Sequence, residues 1–137
     1  MQALPELIPQ LRLGIIGLGY VGLPLAVAFA RHFVVTGFDL SQQRIAELVQ
    51  GHDRAQEVPL ERLQRAGNLH LTADPAQLAG CQVFIVTVPT PVDAHKRPDL
   101  RALQAASQAV GQVLPLGGVV IYESTVYPGA TEEICAP

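Results

Sequence analysis

The sequence predicts an α/β domain in which a parallel sheet is covered by helices on both faces. Short apolar runs bounded by turn residues alternate with longer helix-forming segments along the whole chain. Hydrophobic residues make up 49% of the 137 residues and charged residues 15%, which fits a sheet buried on both sides. Such alternation implies parallel strands joined by right-handed crossovers, and hence a doubly wound sheet.

The first half of the chain is expected to form two strands, each followed by a helix. Residues 11–16 are largely apolar and end in glycine, which indicates a buried strand, and 20–31 is rich in Leu, Ala and Val, which favours a helix. Residues 33–38 form the second expected strand. Ser41 can then cap a helix over 42–50.

The second half continues the alternation. The remaining strands are expected at 68–72, 82–88 and 119–123, and the remaining helices at 60–66, 74–78 and 100–114. QVFIVTV at 82–88 is rich in β-branched and aromatic residues and is the strongest strand signal in the chain. Asp99 is expected to cap the helix that follows it. The predicted strand order is 3-2-1-4-5 in a single domain.

Charge and residue content argue against several functional classes. The net charge is −3 and only nine Lys and Arg are scattered along the chain, so no nucleic acid partner is expected. No apolar run reaches the roughly 20 residues that span a bilayer, and the start lacks a signal-peptide pattern, so a cytoplasmic location without membrane contact is expected. Cys81, Cys135 and the four histidines are widely spaced, so no metal site is expected.

A glycine-rich turn stands between the first expected strand and helix. Residues 14–24, GIIGLGYVGLP, contain G-x-G-x-x-G. In this context Gly17 would make the tight turn, Gly19 would admit a pyrophosphate to the backbone, and Gly22 would let helix and strand pack closely, as in a Rossmann-type dinucleotide site. The free N–H groups and partial positive charge of a helix N-terminus favour an anion there. A purely structural turn is the alternative.

Two charged residues follow the second expected strand. Asp39 lies 20 residues beyond Gly19, where a carboxylate can bind the adenosine ribose diol and repel a 2′-phosphate, which favours NAD over NADP. A surface Asp near a helix cap is the alternative. Arg44 lies in the first turn of its helix, where the dipole disfavours a cation. A nearby cofactor anion or ribose edge would account for an arginine at this disfavoured position. The alternative is a solvated arginine with a small electrostatic penalty.

Two loops are expected at the same edge of the sheet. The sequence VPTP at 88–91 places the Thr90 hydroxyl in a stiff loop after the fourth strand, as a cofactor contact or a rigid exit from the strand. In ESTVYPG at 123–129, either Ser124 or Thr125 could hold a water or a ribose hydroxyl. Neither is arranged with His and Asp as a nucleophile.

Taken together, GLGYVGLP, Asp39 with Arg44, PTP and ESTVYPGATEE resemble the N-terminal NAD-binding domain of the UDP-glucose/GDP-mannose dehydrogenase family. The resemblance covers residues 11–137 and leaves 1–10 as an N-terminal extension. YESTVYPGATEE and PTPVDAHKRPDL are most similar to the bacterial UDP-N-acetyl-hexosamine 6-dehydrogenases of surface polysaccharide synthesis.

The resemblance implies oxidation of the C6 alcohol of a UDP-sugar to a carboxylate by two NAD+ in succession. By matching positions, it implies NAD contacts at Tyr20, Val21, Asp39, Arg44, Thr90 and Thr125. Thr125 would also position a catalytic water. The family's reaction uses a cysteine, a lysine and an aspartate in a Gly-rich segment far downstream, which is absent from the 137 residues. The sequence around Cys135 does not match that segment, so the nucleophile's role is not assigned to Cys135.

A truncated domain, inactive alone and derived from a longer homodimeric enzyme, is therefore expected. Two alternatives remain open: a different two-domain dehydrogenase of the hydroxyacid or 6-phosphogluconate type, or a non-catalytic nucleotide-binding module.

Overall fold

The computed structural model describes residues 11–54, 56, 58–124 and 128–137. Its strands are β1 Arg12–Ile16, β2 Val34–Phe38, β3 Leu69–Thr72, β4 Val83–Val86 and β5 Val119–Tyr122. Its helices are α1 Gly22–Phe29, α2 Gln42–Val49, α3 Leu60–Gln64 and α4 Arg101–Val113, with a 3-10 helix at Pro75–Leu78 and a π-helical turn at Thr131–Cys135. Among these residues, no helix is long and apolar enough to cross a bilayer.

The five strands of the described chain form one parallel sheet in the order β3-β2-β1-β4-β5, so the predicted doubly wound topology is confirmed. β1 lies at the centre, where Ile15 pairs with Gly37 on one side and with Ile85 on the other. The strand order reverses between β1 and β4. The carboxyl ends of these two strands therefore open a crevice at the edge where doubly wound sheets bind ligands.

Apolar side chains cover both faces of this sheet, as the near-continuous hydrophobic strands require. On one face, Leu13 and Ile15 of β1 pack with Leu23 of α1 and Leu48 of α2. The opposite core joins Ile16, Phe84, Val86, Leu103, Ala106 and Val110, which come from β1, β4 and α4. β1 is thus fixed from both sides, which fixes the position of the turn that follows it.

Several element boundaries differ from the predicted ones. α1 begins at Gly22 and not at residue 20, and β4 ends at Val86, before the stiff proline loop. α4 begins at Arg101, so the prediction that Asp99 caps it is wrong by one position. Asp99 Oδ1 nevertheless accepts a hydrogen bond from the Arg101 N–H at 3.0 Å.

Other local predictions are confirmed. Ser41 Oγ accepts a hydrogen bond from the Arg44 N–H at 3.1 Å, which caps α2. Asp74 Oδ1 accepts from the Ala76 N–H at 3.0 Å and opens the 3-10 helix at Pro75–Leu78.

Gly22 is the point of closest approach between α1 and the end of β1. A Cβ placed on Gly22 would lie 1.7 Å from the Gly17 carbonyl oxygen and 2.4 Å from Thr87 Oγ1. Backbone atoms cannot give way at such distances, so only glycine allows the helix to begin here.

We expect Gly22→Ala to lower the free energy of unfolding by about 3 kcal/mol or more, because the added methyl group overlaps the backbone. Chemical denaturation measures this change. Gly111→Ala is the matched control, because Gly111 lies in α4 and a Cβ added there would meet no atom within 4 Å. That substitution should raise stability by about 0.5–1 kcal/mol through helix propensity. Equal effects at the two positions would contradict the close-packing role of Gly22.

Candidate functional site

A cleft of about 780 Å³ opens at the carboxyl edge of the sheet, between the ends of β1 and β4. It is lined by the glycine loop 17–21, by the loop 87–90, and by Asp39 and Arg44 among other side chains. The structure therefore brings together most of the residues singled out from the sequence. Gly22 lies behind the loop and does not line the cleft.

The glycine loop turns sharply and then presents bare backbone to the cleft. Gly17 has φ +97°, a left-handed conformation that favours glycine, and its N–H donates to Phe38 O at 2.8 Å. A Cβ on Gly19 would meet no atom within 4 Å. Within the described part of the chain, the N–H groups of Gly19, Tyr20 and Val21 donate to no protein acceptor. The loop thus offers several free amides in open space, ahead of the first turn of α1.

The Asp39 carboxylate accepts backbone hydrogen bonds from two segments that line the cleft. Its Oδ2 accepts a hydrogen bond from the Leu18 N–H at 3.0 Å, and its Oδ1 accepts one from the Ser41 N–H at 2.9 Å. It therefore joins the glycine loop to the start of α2. Each carboxylate oxygen can accept more than one hydrogen bond, so the carboxylate can still bind a hydroxyl group that enters the cleft.

Arg44 reaches back from α2 to the same loop. Its Nε and Nη2 donate to the Leu18 carbonyl oxygen at 2.9 and 2.7 Å, and Nη2 also donates to Asp53 Oδ1 at 2.9 Å. The Arg44 side chain is 13% exposed and that of Asp53 is 1% exposed. The solvated-arginine alternative is therefore wrong, because the cation is held by a buried carboxylate.

Asp53 was not predicted from the sequence. It lies in a polar segment without periodicity, and nothing local distinguishes it from a surface residue. The available signal was indirect: an arginine in the first turn of a helix is electrostatically disfavoured and calls for an anion nearby. That anion is supplied by the protein itself.

Thr87 was not predicted either, although it joins the two central strands at the cleft. Its Oγ1 lies 2.7 Å from the Gly17 carbonyl oxygen and 3.1 Å from that of Ile16, so its single proton is shared between them. The signal in the sequence was the one hydroxyl in the predicted strand 82–88, whose other residues, apart from Gln82, are apolar.

The two outer loops of the cleft are tied together. Ser124 Oγ donates to the Val88 carbonyl oxygen at 2.8 Å, which connects the loop after β5 to the loop after β4. Thr90 is half-buried and lines the cleft. Thr125, for which both a cofactor contact and a catalytic role were predicted, lies outside the described residues, as do Val126 and Tyr127.

The second arginine of the cleft, Arg54, is paired as well. It donates to both carboxylate oxygens of Glu47, at 2.8 and 2.6 Å, and this hydrogen bonding lowers the pKa of Glu47. Both arginines that line the cleft are therefore neutralised by acids, while Asp39 adds a negative charge. Among the described residues, this end of the cleft offers no unpaired cation to an additional phosphate group.

The two cysteines do not form a reactive site in the described structure. Burial raises the pKa of the Cys81 thiol, which disfavours the thiolate form. Cys135 is buried in the core that faces α4. Across the residues that the structure describes, no three His, Cys, Asp or Glu side chains come close enough to hold a metal ion.

The NAD binding domain model of the UDP-glucose/GDP-mannose dehydrogenase family matches residues 11–137. The chain belongs to this family. Its predicted membership and its predicted cofactor, NAD, are thereby confirmed, and the alternative of a hydroxyacid or 6-phosphogluconate type of dehydrogenase is excluded. The glycine loop and the cleft belong to the NAD-binding domain of a UDP-glucose/GDP-mannose dehydrogenase family member.

Known relatives agree with this assignment. The chain is 57% identical to UDP-N-acetyl-D-glucosamine 6-dehydrogenase of Pseudomonas aeruginosa over 128 residues, which are 93% of this chain and 30% of that protein. It is 49% identical to the Salmonella typhi enzyme of the same name, over 95% of this chain and 31% of that protein. The chain thus spans about 30% of the length of the curated relatives it matches.

Solved structures show the same fold. A UDP-D-ManNAc dehydrogenase from Pyrococcus horikoshii superposes with a TM-score of 0.84 at 37% identity, over 90% of this chain and 31% of that one. A ternary complex of GDP-mannose dehydrogenase from Pseudomonas aeruginosa has the same TM-score at 29% identity, over 93% of this chain and 31% of that one.

We expect Thr87→Val to lower the free energy of unfolding by about 1–2 kcal/mol, because the Gly17 carbonyl loses a hydrogen bond while the side-chain volume is kept. Urea denaturation measures the loss. Thr87→Ser retains the hydroxyl and should keep most of this contribution. If valine were as stable as threonine, the hydroxyl link between the strands would have no energetic role.

Proposed function

We propose that the chain is the cofactor-binding part of a nucleotide-sugar 6-dehydrogenase. The enzyme would oxidise the C6 alcohol of a UDP-sugar, either a UDP-N-acetyl-hexosamine or UDP-glucose, to a uronate with two NAD+, for surface polysaccharide synthesis. The names of the two curated relatives given above support this substrate class. The structural observation that carries the proposal is the bare, open glycine loop beside Asp39.

The residues of the cleft fit NAD. The amides of Gly19, Tyr20 and Val21 have no protein acceptor in the described chain and would bind the diphosphate at the entrance to α1. A side chain at Gly19 would fill the space where that group approaches. Asp39 would accept hydrogen bonds from the adenosine ribose hydroxyls. Bound NAD+ supplies the oxidising equivalents of the reaction.

The remaining predicted contacts have separate roles in this proposal. Gly17 and Gly22 shape the loop, and the exposed Tyr20 and Val21 side chains would flank the cofactor. Arg44 would lie beneath the adenosine end, and Thr90 would face the cofactor from the loop after β4. Thr125 would contact NAD and position a catalytic water, as the family resemblance implies.

The complete activity would need residues beyond the 137 of this sequence. The chain covers about 30% of its relatives, so we propose that the sugar site and the reactive groups lie in the rest of a longer enzyme and that this domain alone is inactive. Residues 11–137 would then form the cofactor domain and 1–10 an extension. We further propose a homodimeric enzyme that acts in the cytoplasm, where NAD and nucleotide sugars are available.

We expect Gly19→Val to weaken NAD binding at least tenfold while stability changes by less than about 1 kcal/mol. The reason is that the new side chain has room in the fold but blocks the approach to the loop amides. Isothermal titration calorimetry and thermal denaturation measure the two effects. Gly67→Val is the matched control, because a Cβ there is equally unobstructed and lies outside the cleft. Unchanged NAD affinity in Gly19→Val would overturn the proposed diphosphate site.

We expect Asp39→Ala to reduce NAD affinity about tenfold and NADP affinity by less, because the carboxylate binds the ribose and repels a 2′-phosphate. Parallel titrations with the two cofactors measure the ratio of affinities. Asp74→Ala also removes a carboxylate that accepts a backbone hydrogen bond, but it lies outside the cleft and should leave both affinities unchanged. A constant NAD to NADP ratio in Asp39→Ala would contradict the role given to Asp39.

A further inference from the structure

The peptide units around Leu18, in the middle of the glycine loop, are held from both sides by charged side chains. The Leu18 N–H donates to Asp39 Oδ2 at 3.0 Å, and the Leu18 carbonyl oxygen accepts two hydrogen bonds from Arg44, at 2.9 and 2.7 Å. The planar guanidinium meets this oxygen through two of its N–H groups, which fixes the direction of the carbonyl more tightly than one contact would.

Fixing the Leu18 carbonyl also fixes the next amide. In a trans peptide the carbonyl and the following N–H point in opposite directions, so the Gly19 N–H is aimed away from Arg44. That N–H is among the loop amides without a protein acceptor in the described chain. The Arg44 side chain, which extends from α2, therefore sets the orientation of the Gly19 N–H, one of the proposed diphosphate donors.

Asp53 in turn fixes Arg44. Its Oδ1 accepts from Arg44 Nη2 at 2.9 Å, and its Oδ2 accepts from the Val58 N–H at 3.0 Å. Its side chain is 1% exposed, so the guanidinium is paired with a carboxylate that is itself withdrawn from water. Removing one member of a buried ion pair leaves an uncompensated charge. Without Asp53, Arg44 would lose the contact that holds its guanidinium against the Leu18 carbonyl.

We propose that Asp53 is a positioning residue for cofactor binding. It acts through Arg44, whose hold on the Leu18 carbonyl keeps the loop amides directed at the diphosphate before the cofactor arrives. The proposal rests on the proposed function, because it assumes that NAD binds at the glycine loop. It gives a role in the site to a residue that does not line the cleft.

The cleft contains a comparison pair with the same chemistry and no link to the loop. Arg54 and Glu47 form an ion pair at 2.6 Å, but the Arg54 side chain is 57% exposed and donates to Glu47 and not to the glycine loop. Exposed ion pairs of this kind contribute little to the free energy of unfolding. Glu47→Gln therefore removes an acid from the same region without affecting Leu18, and it leaves in the cleft an Arg54 cation that can only favour an anionic ligand.

The test compares the 137-residue chain with Asp53→Asn, Arg44→Lys, the double variant and Glu47→Gln. NAD affinity is measured by calorimetry at a temperature where circular dichroism shows each variant to be folded. We expect Asp53→Asn and Arg44→Lys each to weaken NAD binding about tenfold. The double variant should bind no more weakly than Arg44→Lys alone, because both changes break the same support. Glu47→Gln should bind NAD no more weakly than the parent chain, because it frees a cation and breaks no contact to the loop.

Two results would overturn the proposal. One is a lower melting temperature in Asp53→Asn with unchanged NAD affinity, which would show a structural role alone. The other is additive losses in the double variant, which would show that Asp53 does not act through Arg44. Failure of the parent chain to bind NAD would instead refute the proposed function, so the two failures are distinct.

If Asp53→Asn does not fold, Arg44→Lys decides the matter with inorganic pyrophosphate as the probe. Lysine keeps the positive charge but lacks the planar fork, and pyrophosphate has no ribose for Arg44 to contact. We expect its affinity, followed by NMR titration, to fall about tenfold. Unchanged pyrophosphate affinity would overturn the proposal.

Discussion

The approach of α1 to the end of β1 at Gly22 is the constraint on which the rest of the site depends. Because Gly22 has no side chain, the helix begins almost against the Gly17 carbonyl, and Thr87 closes the same junction from the loop after β4. The loop between them lines the cleft and presents the backbone amides of Gly19, Tyr20 and Val21 to it. Close packing of a helix on a strand therefore creates the exposed amides that can bind an anion.

The charged side chains around this junction mainly form hydrogen bonds within the protein. Asp39 and Arg44, which the sequence offers as ligands of a cofactor, first hold the N–H and the carbonyl of Leu18. The electrostatic balance of the cleft follows from this arrangement: each arginine that lines it is paired with an acid, and the Asp39 carboxylate adds a negative charge. In the proposed function, this balance is what would disfavour a cofactor that carries a 2′-phosphate.

The sequence was sufficient for the topology and for most of the cleft, because both depend on local patterns. Apolar runs, glycine spacing and the acid after the second strand are readable without knowing what lies nearby in space. Thr87 and Asp53 could not be assigned in this way. Their partners are 70 and 9 residues away, and the importance of Asp53 comes only from burial beside Arg44. The segment containing Thr125 lies outside the described structure, so its role remains a proposal.

The central claim is that a diphosphate binds to the amides of the glycine loop. Titration of the ¹⁵N-labelled chain with NAD+, followed by two-dimensional NMR, tests it most directly. We expect the largest shifts on the amides of residues 17–22, with smaller ones near Asp39 and in the loop 87–90. Shifts centred on another surface, or none at millimolar NAD+, would contradict the claim.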